Sequence, residues 1–162
     1  MTEIKTPPHP TPPRSILGAL RKASSGHHRA FKLPDAIAGV DMAEALLSVG
    51  EADLLTELLQ QMTKSWRDGA ERISRAFVQR GPATAAATVH GLWGVAATLG
   101  AVRVRDCAAR LERQLLEGDC EHLEVDLREL DAALVSLAEA VSEARRRAEE
   151  GITERREEPR RT

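Results

Sequence analysis

His90 is the residue of this 162-residue chain best placed to do chemistry, because of what surrounds it. The run from Gly81 to Val102, GPATAAATVHGLWGVAATLGAV, holds no Asp, Glu, Lys or Arg in a chain that is 30% charged. Read at about 100° per residue, it forms one helix with two unlike sides. Ala85, Thr88, Val89, Leu92, Val95, Ala96 and Leu99 share the side expected to face a core. His90 points almost directly away from them, with Ala83, Ala86, Ala87, Gly94, Ala97 and Ala101 around it. A solvated outer face normally carries Glu, Lys and Arg. This one is cleared of bulk and charge, so another surface could lie flat on it and reach the imidazole. Ala86, Ala87, Trp93 and Ala97 are the expected partner contacts.

Three readings of His90 are open on these residues: a plain surface side chain, a metal ligand or a nucleophile. Metal binding has the least support. Bundle metal sites use inward carboxylates and Glu-x-x-His pairs, whereas His90 faces out and has no acidic residue within ten positions on its own helix. An exposed imidazole is largely neutral near pH 7 and can attack phosphorus. Phosphoryl transfer depends mainly on positioning and charge neutralisation. Gly94, one turn on, and the neighbouring alanines leave room for an in-line approach.

The rest of the chain must position that helix. Two Trp, two Phe and no Tyr, with abundant Ala, Leu, Glu and Arg, make an all-helical composition. Residues 35–49 contain a short helix capped by Asp41 and broken by Gly50. A longer helix is expected from about Ala52 to Gln79, with Leu55, Leu58, Leu59, Met62, Trp66, Ala70, Ile73 and Phe77 on its apolar row. Gly81-Pro82 ends it and opens the uncharged helix, which Gly100 terminates. The next helix spans roughly Val102 to Leu116, with Val104, Cys107, Ala108, Leu111 and Leu115 inward. The last covers about Glu121 to Glu149, with a seam of Leu123, Leu127, Leu130, Leu134, Leu137, Val141, Ala144 and Ala148. Four amphipathic helices with short connections make an all-α, antiparallel up-down four-helix bundle with a short extra N-terminal helix.

The bundle is expected over residues 35–148. Residues 1–34 hold six of the eight prolines and read as a flexible tail or linker. Within it, His9, His27 and His28 lack the spacing of a metal site, and Arg21-Lys22-Ala23-Ser24 is a common short phosphorylation pattern. Residues 149–162 read as a charged, disordered tail; its mixed signs argue against a nucleic-acid arm. The net charge of -2 gives no reason to expect nucleic acid. No segment reads as a signal peptide or membrane span, so a cytoplasmic protein is the expectation. Cys107 and Cys120 do not form a CxxC and read as free structural thiols.

His90-Gly91-Leu92-Trp93-Gly94, continuing through Ala96, Leu99-Gly100-Ala101, Ala108 and Leu111-Glu112, resembles the signature of histidine-containing phosphotransfer (HPt) domains. That signature is His-x-Leu-Lys-Gly, a small residue, an aliphatic–Gly–Ala step, then Leu-Glu in the following helix. The resemblance covers about residues 37–142 and takes in Val40-Asp41 and the Leu46–Gly50 stretch. It implies the up-down bundle already read from periodicity. It also implies that His90 accepts a phosphoryl group from one receiver-domain aspartate and passes it to another, in two-component signalling. Gly94 would keep the surface open, and Glu112 falls where members place a polar residue that touches the histidine. The implied partners are response-regulator receiver domains and a hybrid sensor histidine kinase. The implied Mg²⁺ sits on the receiver, and no metal or cofactor is expected on this chain, a phosphocarrier rather than an autonomous enzyme.

Two positions depart from the pattern, one of them seriously. The family lysine three residues after the histidine, which puts a positive charge near the phosphoryl oxygens, is Trp93 here. Gly91 also replaces the commoner small polar residue. No basic residue lies between Arg80 and Arg103. Trp93 supplies an indole N–H and bulk, either as a docking anchor or as packing along the helix flank. The alternative to a phosphocarrier is therefore a degenerate HPt-like domain that binds a kinase or receiver without being phosphorylated.

Overall fold

The computed structural model describes residues 36–157, with side chains through Glu150. The tail expected over residues 1–34, with its histidines and the Arg21–Ser24 pattern, lies outside the described residues. Among the described residues six helices follow one another: α1 Met42–Val49, α2 Ala52–Ser65, α3 Gly69–Arg80, α4 Pro82–Thr98, α5 Val102–Glu117 and α6 Leu123–Glu157. The described residues contain no strand, only an isolated antiparallel bridge between Val40 and Ala101. α2 and α3 together make the first rod of a four-helix bundle. α4 packs on α3 and α5, α6 packs on α5 and closes back on α2 and α3, and α1 crosses one end against α2 and α4. Short connections between packed neighbours make the rods antiparallel.

The core is built from the apolar rows. Leu55, Leu59, Ile73, Val89, Leu92, Val104, Leu111, Leu130 and Val141 are fully buried. All eight positions of the α6 seam are buried, as are the five inward positions expected on α5.

The single long helix expected over Ala52–Gln79 is two helices. α2 stops at Ser65, and the Trp66 N–H still donates to the Met62 carbonyl at 2.9 Å. α3 starts at Gly69, where an added Cβ would stand 3.1 Å from Leu134 and 3.2 Å from the Trp66 ring. Arg72 covers the Trp66 ring, 4.5 Å from its centroid, and donates to the Ser65 carbonyl at 2.9 Å. The break follows from close approach of Trp66, Gly69 and α6. It is silent in the apolar pattern because the interruption is nearly one helical turn long, which keeps Ala70, Ile73 and Phe77 in phase.

The last helix also exceeds its expected end. It runs to Glu157, so residues 149–157 are helix rather than part of a disordered tail. Arg145 pairs with Glu149, while Arg146 and Arg147 both pair with Glu143. Such i,i+3 and i,i+4 pairs support the helix along its exposed side.

The turn that ends α4 is held from outside. Gly100 sits at φ +65°. Its carbonyl accepts from the Asp41 N–H at 2.8 Å, and the Val102 N–H donates to the Gly39 carbonyl at 3.1 Å. Asp41 in turn caps α1 by accepting from the Glu44 N–H at 3.0 Å. A Cβ on Gly100 would lie 2.5 Å from the Asp41 carbonyl oxygen. The α4–α5 turn is thereby tied to the lead-in of α1, which fixes α4 relative to α5.

Candidate functional site

His90 lies in the middle of α4 with its side chain 56% exposed. Its Nδ1 is 2.8 Å from Oε1 of Glu112 on α5, a side chain only 23% exposed. An ionised carboxylate only accepts, so Nδ1–H is the donor, and in the neutral ring the lone pair is then on Nε2. The third member is Trp93, whose ring stacks on the imidazole at a centroid distance of 5.6 Å and an interplanar angle of 26°. The indole is 37% exposed. Nδ1 of His90 is thus held by α5 and the ring is stacked on Trp93, while the side chain as a whole stays more than half exposed.

The open face differs from the one expected. Ala86 and Ala101 are buried, at 3% and 1% exposure. Ala86 lies one turn before His90 on the flank along which α5 runs, as the Glu112 contact shows; Ala101 has left α4 and bridges to Val40. Ala86 is therefore not available as a partner contact. Ala83, Ala87 and Gly91 are exposed, and Gly94 and Ala97 are half-buried. His90 stands at the margin of this face beside α5 rather than directly opposite the core. Leu116, one turn beyond Glu112 on the same side of α5, is an apolar side chain 68% exposed. Sequence periodicity passed over it because it sits beside the inward Leu115.

The two glycines by His90 have no role in the chain's own packing. A Cβ added at Gly91 or Gly94 would meet nothing within 4 Å. Glycine inside a helix costs about 0.5–1 kcal/mol relative to alanine. The cost is borne where only an incoming surface would feel the missing side chain.

Glu112 depends on how α5 is seated, and a polar brace to α6 seats it. Asp126 is buried; its Oδ2 accepts from Gln114 Nε2 at 2.7 Å and its Oδ1 pairs with Arg110 Nε at 3.2 Å. Arg110 also donates to Glu129 and, at 3.7 Å, to the Cys107 sulfur. Sequence reading missed this brace. Its signal was there: Arg110 and Gln114 lie four apart on α5, and Asp126 and Glu129 three apart on α6. Cys107 and Cys120 are free, and burial pushes the Cys107 thiol above its ordinary range, which disfavours the reactive thiolate.

Among the described residues, no group of three or more His, Cys, Asp or Glu is arranged to hold a metal ion. No helix among them is long and apolar enough to cross a membrane.

Residues 57–147 match the family model of the Hpt domain, more than half of the chain. The lead-in over residues 37–56 lies outside that match. No curated protein and no solved structure matches the chain. With an exposed histidine at the centre of one rod of a four-helix bundle, and with the family match spanning all four rods, the chain belongs to the Hpt domain family, the phosphotransfer modules of two-component signalling.

Proposed function

We propose that this chain is a phosphorelay intermediate that carries a phosphoryl group on Nε2 of His90. The observation that carries the reading is the 2.8 Å contact between Glu112 and Nδ1 of His90, which favours the tautomer with its proton on Nδ1 and its lone pair on Nε2, the nucleophile of this reading. The Nε2 lone pair attacks the phosphorus of a receiver's aspartyl phosphate. The N–P bond forms, the P–O bond breaks, and the aspartate leaves with the electron pair. The ring becomes a cationic phosphoimidazole whose Nδ1–H still faces the Glu112 carboxylate. That carboxylate sits at the far end of the ring, so it balances the ring charge without facing the phosphoryl oxygens. The reverse reaction delivers the group to a second receiver.

Receiver domains and a hybrid sensor kinase are the partners in this reading, and the docking surface is Ala83, Ala87, Gly91 and Gly94 with Leu116 at its edge. Receivers supply the Mg²⁺ that neutralises charge on the transferring group. The chain is a cytoplasmic phosphocarrier rather than an enzyme with its own turnover.

A second reading keeps one specific observation in its favour. α4 carries no cation between Arg80 and Arg103, and the charged partner of His90 is an anion. On that reading the domain binds a kinase or receiver and takes no phosphoryl group. The test is transfer of label from a phosphorylated receiver domain of the same organism to the wild type, His90→Gln and Trp93→Lys. The phosphocarrier reading expects acid-labile, base-stable label on the wild type and none on His90→Gln. An unlabelled wild type beside a labelled Trp93→Lys would establish the binding-only reading.

A further inference from the structure

We propose that Trp93 is a positioning residue for His90, a shelf that sets the plane of the imidazole, and not primarily a docking anchor. The inference rests on the phosphocarrier reading for its consequence but on geometry for its substance. A single hydrogen bond from Nδ1 to Glu112 leaves the ring free to swing about that bond. Stacking on the indole, at 5.6 Å and 26°, removes the remaining freedom. The two contacts come from different helices, Trp93 from α4 and Glu112 from α5, and together they define the direction of Nε2. In-line transfer is sensitive to that direction, since a well-oriented nucleophile supplies much of the rate.

The shelf also changes which charge the chain stabilises. A basic side chain one turn from the histidine would be directed at the phosphoryl oxygens. An indole face is electron-rich and attracts a cation. Stacked on His90, it favours the ring when phosphorylation makes the ring cationic, as the Glu112 carboxylate does at Nδ1. Both contacts of this site therefore act on the imidazole. Neutralisation of the phosphoryl oxygens falls to the partner, so the phosphoryl group is held by the ring's orientation and not by a cation of this chain.

The test pairs an NMR readout with the transfer assay, using the whole chain and three forms: wild type, Trp93→Leu and Trp93→Phe. The indole ring current displaces the His90 ring protons in the wild type, and a phenyl ring keeps part of that displacement. Trp93→Leu is expected to lose it and to accept label from a phosphorylated receiver about three- to tenfold more slowly, the range expected for one aromatic stack. Trp93→Phe is expected to restore both. The proposal is overturned if the His90 proton shifts are the same in wild type and Trp93→Leu, or if Trp93→Leu transfers at the wild-type rate. If the wild type accepts no label from any receiver, the phosphocarrier reading fails on its own. The shelf is then judged by the NMR arm: it stands if Trp93→Leu alone loses the displaced shifts and the Nδ1–H signal bonded to Glu112, and it falls if either persists.

Discussion

Gly94 and Gly100 lie within two turns of each other, and they are glycines for opposite reasons. At Gly100 the fold demands the residue: φ is +65°, and a Cβ would stand 2.5 Å from the Asp41 carbonyl oxygen. At Gly94, as at Gly91, a Cβ would meet nothing within 4 Å. The first glycine is explained from inside the molecule and the second is not. A residue that weakens its helix and relieves no internal crowding points to a surface that comes from outside. The same contrast separates the end of α4 from its middle: the turn is tied to α1 by backbone hydrogen bonds, while Ala87 and Gly91 beside His90 are exposed.

The contrast can be broken by substitution. Gly100→Val is expected to have the largest effect on stability, a loss of about 3 kcal/mol or more, since strain at positive φ adds to overlap with backbone. Urea unfolding measures it. Gly94→Gln is expected to leave the urea midpoint near that of the wild type and to slow transfer about a hundredfold, by holding the partner off Nε2. A Gly94→Gln protein that transfers normally would remove the external argument for that glycine. Asp126→Ala leaves the Gln114 amide without its acceptor and removes one of the two carboxylates paired with Arg110, and should cost about 1–3 kcal/mol. Because that brace seats α5, the variant should also weaken the Glu112 contact, seen as a change in the His90 Nδ1–H resonance. Gly91→Ala should stabilise the protein by about 0.5–1 kcal/mol, the reverse sign from Gly100→Val.

The smallest expected effect lies far from the site. Arg146 and Arg147 hold the Glu143 carboxyl below its usual range. A depressed carboxylate stabilises the helix above its unfolded pKa and loses that contribution as pH falls through the folded value. The stretch of α6 around Glu143 should therefore loosen slightly once the pH falls below the ordinary carboxylate range, while the core stays folded, which amide exchange near Glu143 would follow.

Much of the bundle was legible because apolar side chains recur at helical spacing. The α6 seam and the inward row of α5 are buried position by position. Features that depend on shape rather than period were not. The α2–α3 break keeps the apolar phase and so leaves no trace in it. Ala86 looked like a surface residue because an alanine on a helix flank does not say whether a neighbouring helix covers it. The Glu112 contact came into view through family resemblance, since no periodicity on α4 identifies which side chain of α5 reaches His90. The stacking of Trp93 on His90 needs coordinates, because three residues apart on a helix means neighbours but not which way two rings turn.

A phosphocarrier of this geometry holds the phosphoryl group on Nε2 of His90 while Nδ1 stays bonded to Glu112. The direct measurement is NMR of the ¹⁵N-histidine-labelled chain after reaction with a phosphorylated receiver domain. The expected result is phosphorus coupled to Nε2 of His90, a retained Nδ1–H signal, and neither in His90→Gln. Phosphorus on Nδ1, on another residue, or on His90→Gln would contradict it.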